Sequence, residues 1–94
     1  MVKVTLSAVL VSSVAGIYPF MALAATGANA ISPSDDRSVH MGSITNWAEV
    51  STSATFLLTG LAPGATDFFA LYKIEGAGGS AYFQKRCILV EPVT

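Results

Sequence analysis

The chain has 94 residues, a length that sets the expectation of one domain, and it is 52% hydrophobic, 12% charged and nearly neutral, with a net charge of −1 and a mean hydropathy of +0.58. Soluble domains average about 25% charged residues, so a domain this small needs a partner subunit, further chain or a membrane to cover part of its apolar surface. Its basic side chains (Lys3, Arg37, Lys73, Lys85 and Arg86) are too scattered for a nucleic-acid surface, and a single cysteine and a single histidine exclude an internal disulfide and a zinc site.

At the front, Val2, Val4, Leu6, Ala8 and Leu10 alternate with Lys3, Thr5, Ser7, Val9 and Val11. Period two is a strand signal. It predicts strands over Val2–Val11 and Tyr18–Ala25, with a turn at Ser12–Ile17. A secretory signal peptide competes for the same residues. Met1-Val-Lys3 is a basic start, and Ala22-Leu-Ala24 and Ala28-Asn-Ala30 resemble small-residue cleavage sites. Ser12-Ser13, Gly16 and Pro19 interrupt the apolar run, which favours strands. The same breaks argue against a membrane-spanning helix, which needs about 20 continuous apolar residues.

In the middle, Thr26-Gly-Ala-Asn29 ends the second strand, and Ile31–Asp36 reads as a polar loop. Arg37–Ile44 predicts a short edge strand, weakened by Gly42. Thr45–Ser53, which contains Trp47, reads as a connection or part of a strand. Three strands then follow at Ala54–Thr59, Thr66–Glu75 and Tyr82–Glu91. Gly60–Ala65 is a corner that carries the chain between sheets: Leu61 plugs the core, Pro63 presets φ and Gly64 permits the turn. Gly76–Gly79 predicts a hairpin between the last two strands. The whole reads as an all-β, antiparallel sandwich, a single domain over residues 1–94.

Side-chain parity then assigns faces. The expected core is Phe56, Leu61, Phe68, Tyr72, Ile74, Ile88 and Val90. Phe83 joins it if a bulge near Gln84-Lys85 shifts the parity. Phe69, Leu71, Cys87 and Leu89 form an apolar patch on the outer side of the predicted hairpin, and an oligomer interface is the expected use. Sharper chemistry finds little support. Asp35-Asp36 lacks the six to eight oxygens, about, that calcium takes, and reads as a solvated, capped turn beside Arg37. His40 reads as an ordinary strand or loop histidine, and Cys87 as a small apolar residue without a convergent base. Trp47 is a candidate ligand contact; Tyr82 is expected to fill an end of the sandwich. No set of acid–base or nucleophilic residues emerges, so the expectation is a protein that is not an enzyme and takes no metal or cofactor.

Several stretches carry a resemblance. Phe56-Leu-Leu-Thr-Gly-Leu-Ala-Pro-Gly64, Phe68-Phe-Ala-Leu-Tyr-Lys73, Gly78-Gly-Ser-Ala-Tyr-Phe83 and Arg86-Cys-Ile-Leu-Val-Glu-Pro92 resemble the ends of small β-sandwich domains in tailed-phage and prophage virion proteins. Val4-Thr-Leu-Ser7, Met21-Ala-Leu-Ala24 and Ser34-Asp-Asp-Arg37 look like the preceding strands and loop of such domains. The resemblance implies a jelly-roll-like structural or host-attachment module of a virion or tail fibre. It implies a homo-oligomer, with a trimer favoured, and contact with other virion proteins or a host-surface glycan or protein. A complete jelly roll has about eight strands, which implies that an upstream strand is lacking. The Gly60-Leu-Ala-Pro-Gly64 corner followed by an aromatic strand is also similar to fibronectin type III, and a tumour-necrosis-factor-like jelly roll is a third match. The fibronectin-like reading implies a secreted, monomeric binding module after removal of residues 1 to about 24–30.

Overall fold

The computed structural model describes residues 1–42, 45–76 and 78–93. Two three-stranded antiparallel sheets pack together into a small all-β sandwich. The strands are β1 (Val2–Ser12), β2 (Tyr18–Gly27), β3 (Ser38–His40), β4 (Ala48–Leu58), β5 (Thr66–Glu75) and β6 (Ala81–Pro92). One sheet has the order β4-β1-β6 and the other β3-β2-β5. Among the described residues, only β2 and β3 are both neighbours in the chain and partners in a sheet. Every other connection carries the chain to the opposite sheet.

β1 shows why the alternating front segment is a strand. Val4, Leu6, Ala8 and Leu10 are buried, whereas Thr5, Ser7 and Val9 stay half-buried on the outer face. The buried set meets Met21 and Leu23 of β2 together with Val39 and Met41. β2 is different: residues 19–25 are buried on both faces. Met21 and Leu23 point into the core. On the outer face Ala22 and Ala24 are small, and the 31–37 segment folds back over that side. Ile31 bridges to Ala25, with mutual backbone bonds of 2.9 and 3.0 Å. A 3₁₀ turn follows at Asp35–Arg37, capped by the Ser34 hydroxyl, which accepts from Asp36 N–H at 3.1 Å. A strand covered on both sides reads as a continuous apolar run, which is why it also mimics a signal sequence.

The short strand expected within Arg37–Ile44 is β3, at an edge; Ser43 and Ile44 lie outside the described residues. Of the two readings of Thr45–Ser53, part of a strand holds: β4 begins at Ala48 and pairs with β1 along its full length, from Ser12↔Ala48 to Val2↔Leu58. Apolar Val50, Ala54 and Phe56 alternate with Glu49, Ser51, Ser53 and Thr55, so the period-two signal starts before Ala54. Gly76–Gly79 does not make a hairpin. β5 pairs with β2 and β6 with β1, so this stretch, of which Ala77 lies outside the description, spans the two sheets. The chain needs glycine here for a close approach. Gly76 has φ +102°, and a Cβ on it would strike the Gly16 carbonyl of the 13–17 loop.

The corner at Gly60–Ala65 does cross between sheets. Asn29 braces it like a short piece of ladder: its Oδ1 accepts from Ala62 N–H at 2.7 Å, and its Nδ2 donates to the Ala62 carbonyl at 2.9 Å and to Thr66 Oγ1 at 2.8 Å. At the other end Ser13 ties three loops. Its N–H donates to the Ser80 carbonyl, its hydroxyl accepts from Ser80 N–H, and its carbonyl accepts from Trp47 N–H.

Phe83 does turn inward. The register runs Ser7↔Cys87 and then Val9↔Gln84, so Lys85 and Arg86 together oppose Ala8, and Lys85 takes φ 50°. Two residues facing one is a bulge. It places Phe83 against the core with Ile88 and sends Tyr82 outward. The expectation that Tyr82 fills an end of the sandwich is thereby corrected.

Candidate functional site

β5 and β6 lie at facing edges of the two sheets, without a ladder between them. Register places Tyr72 directly beside Met21 and Val90 beside Val4, so both carry the inward parity. Yet Tyr72, Ile74 and Val90 are 42%, 45% and 36% exposed. These three expected core residues are therefore not core. They line an open seam because, among the described residues, no further strand closes the edge. Phe56, Phe68 and Ile88 are half-buried and pack against the core from the flanking strands. Leu61 is half-buried too, but it sits in a groove at the corner end with Met1, Val2 and Phe68 rather than in the core cluster.

The seam has a defined geometry. The Tyr72 and Phe83 rings meet across it at a centroid distance of 4.8 Å, tilted by 57°. Arg86, thrown out by the bulge, lays its guanidinium 5.7 Å from the Tyr72 ring centre and donates from Nη1 to Tyr72 Oη at 3.3 Å. Beside this pair a cleft of ≈ 380 Å³ opens between Phe69 and Ala70 on one side and Cys87 and Ile88 on the other. The predicted patch is thus divided. Phe69 and Cys87 share the cleft. Leu71 lines a groove on the outer face of the β3-β2-β5 sheet, and Leu89 stands exposed on the outer face of the other sheet. The four do not form one hairpin face, because β5 and β6 never pair.

On the outer face of the β3-β2-β5 sheet, Phe20 is flanked by His40, stacked at 4.8 Å, and by Lys73, whose Nζ lies 4.6 Å from the ring centre. Lys73 also joins Asp35 and Glu75, each at 2.8 Å. The hydrogen bond to Asp35, and then that to Glu75, hold its ammonium above the ordinary lysine value. This contact clips the 3₁₀ turn to β5 and walls a groove of ≈ 320 Å³ over Ala22 and Leu71. Asp35 is accordingly engaged with lysine. Among the described residues no group of three or more His, Cys, Asp and Glu side chains gathers. His40 and Cys87 lie at opposite edges of the sandwich, since β3 faces β4 while β5 faces β6. Trp47 is exposed, has φ 56°, and stacks on Tyr82 at 6.3 Å with an interplanar angle of 11°.

The Arg86–Tyr72 pair and the Lys73–Asp35 clip were missed in the sequence. The bulge could have signalled the first, because it moves Arg86 to the rim once Phe83 points inward. Nothing local signals the second, which joins residues on different elements. Among the described residues no helix is long and apolar enough to cross a membrane. Comparison with protein-family models, curated proteins and solved structures returns no match.

Proposed function

We propose that the protein is a non-enzymatic structural module that works by associating with further copies of itself through the β5–β6 seam. The observation that carries this reading is the exposure of inward-parity Tyr72, Ile74 and Val90 along one edge. Apolar side chains rimmed by Arg86, Lys73, Glu75 and Glu91 have the make-up of an association surface, with an apolar centre and a polar rim. The setting we favour is a phage-like virion or tail fibre, where a host-surface contact would use Trp47 and Tyr82 at the exposed end. That setting rests on the sequence resemblance alone. The secreted, fibronectin-like reading would remove residues 1 to about 24–30, and with them β1 and most or all of β2, which supply six of the eight buried residues of the core cluster.

Native mass spectrometry of the full chain tests the proposal. The expected result is a closed oligomer that retains residue 1. Ile74→Lys and Val90→Lys should each reduce it to a dimer or below while the far-ultraviolet circular dichroism stays unchanged. A monomeric chain, or an oligomer indifferent to both substitutions, overturns the seam as the association surface. Exported material beginning near Ala25 or Ile31 would establish the secreted reading instead.

A further inference from the structure

Four strands border the two sheets: β3, β4, β5 and β6. A border strand offers a row of unpaired backbone groups, and proteins blunt it by brevity, charge, proline or a bulge. β3 has only 3 residues. β5 carries Asp67, Lys73 and Glu75. β6 has Lys85, Arg86 and Glu91, a bulge, and Pro92. β4 has none of these devices. It is 11 residues long, runs in unbroken register with β1, contains no proline, and bears one charge, Glu49, near its start. Among the described residues its other edge pairs with no strand.

We infer that β4 pairs with β4 of a second copy, antiparallel, about a two-fold axis at Ser53. Ser53 is the midpoint of Ala48–Leu58, so this register uses the whole strand. It also matches the strand to itself around the axis. On the outer face Ser53 meets Ser53 and Ser51 meets Thr55, with Glu49 beside Leu57 at each end of the ladder; on the inner face Val50 meets Phe56 and Thr52 meets Ala54. The hydroxyl-on-hydroxyl and apolar-on-apolar cross-strand pairs among these are the favourable ones. The outer face already uses such pairing within the chain, where Thr5 Oγ1 and Thr55 Oγ1 lie 3.1 Å apart and Ser7 stands opposite Ser53. The two Glu49 side chains fall at opposite ends of the ladder, so the sole charges of the strand never meet. Exposed Val50 gains a cover, and the two sheets become one continuous sheet ordered β6-β1-β4-β4-β1-β6. The contact is isologous and therefore closes on itself. It is a different surface from the β5–β6 seam and stands without it.

Cross-linking in a Cys87→Ser background reads the register. Directly opposite residues of an antiparallel pair have Cα atoms about 4.5–5.5 Å apart, within disulfide reach. Under mild oxidation Ser53→Cys should give a covalent dimer by itself. Ser51→Cys should do so only when mixed with Thr55→Cys. Absence of a dimer from Ser53→Cys, or equal cross-linking by Ser51→Cys alone, overturns the pairing. Independently, Ser53→Lys sets two like charges at the axis on the solvent face and should weaken self-association about fivefold. A native mass distribution unmoved by Ser53→Lys counts against the β4 edge. An assembly lost with Ile74→Lys but kept with Ser53→Lys assigns association to the seam alone and overturns this inference while leaving the seam intact.

Discussion

Val4 and Val90 are the same residue type, sit directly opposite each other in one sheet and face the same way, yet Val4 is fully buried and Val90 is 36% exposed. Met21 and Tyr72 repeat the contrast in the other sheet, fully buried against 42% exposed. The difference is position across the sheet. β1 and β2 are central strands with neighbours on both sides. β5 and β6 are borders, and the inward-facing side chains there look into the seam. Parity decides which way a side chain points; sheet order decides whether anything is there to cover it. The central pair is therefore enclosed by packing, whereas β5 and β6 add local devices to their ladders: the loop contact at Gly76, the Lys73 clip and the bulge at Lys85.

The most direct way to break this comparison is to truncate partners across it. Leu6→Ala should destabilise the protein by about 3–4 kcal/mol, because it empties a fully enclosed site. Ile88→Ala, directly opposite Leu6 but half-buried, should cost only about 1–2 kcal/mol. Urea unfolding at one fixed protein concentration measures both, and equal losses would refute the division into centre and border. The loop contact comes next. Gly76→Ala combines a left-handed φ with a backbone collision and should cost about 2 kcal/mol or more. Gly16→Ala, at φ +86° with open space around its Cβ, carries only the conformational penalty of about 1 kcal/mol.

The Lys73 clip predicts a pH signature. The folded pKa of Lys73 is raised above its ordinary value of 10.5, so protonation favours the folded state. Its contribution is complete below that value and is lost as pH rises through the folded pKa. The melting temperature of the wild type should therefore exceed that of Lys73→Gln at pH values well below 10.5, and the gap should close at more alkaline pH. A gap that persists there would assign the effect to packing on Phe20 instead. The smallest effect belongs to the bulge. Lys85→Gly relieves a left-handed φ at a residue with a Cβ, and should raise stability by about 0.5 kcal/mol despite the added freedom of the unfolded chain.

The same contrast explains how much was legible in advance. Alternation along Val2–Val11 and Thr66–Glu75 is a local property, so both strands and their facing sets could be read directly. The bulge followed from demanding that Phe83 and Ile88 share a face. The corner at Pro63-Gly64 was readable because turn residues act locally. Partner choice was not readable. Gly76 and Gly79 carry turn chemistry that serves a hairpin and a sheet-to-sheet crossing equally well. Deciding between them requires knowing that β1 takes β6 as a neighbour across most of the chain. Tyr72, Ile74 and Val90 were placed on the right face and in the wrong environment for that reason. The cleft shared by Phe69 and Cys87 could not emerge from a predicted hairpin at all.

The pairing of Val2 with Pro92 and of Val2 with Leu58 sets an order of events. Neither neighbour of β1 exists when β1 leaves the ribosome, because β4 and β6 both follow it in the chain. This apolar strand is thus made well before the strands that satisfy it. Closure between distant parts of a chain is slow compared with local pairing. During that delay β1 and β2 lack their sheet partners and expose apolar faces to the cell, so yield in production should depend on chaperone supply.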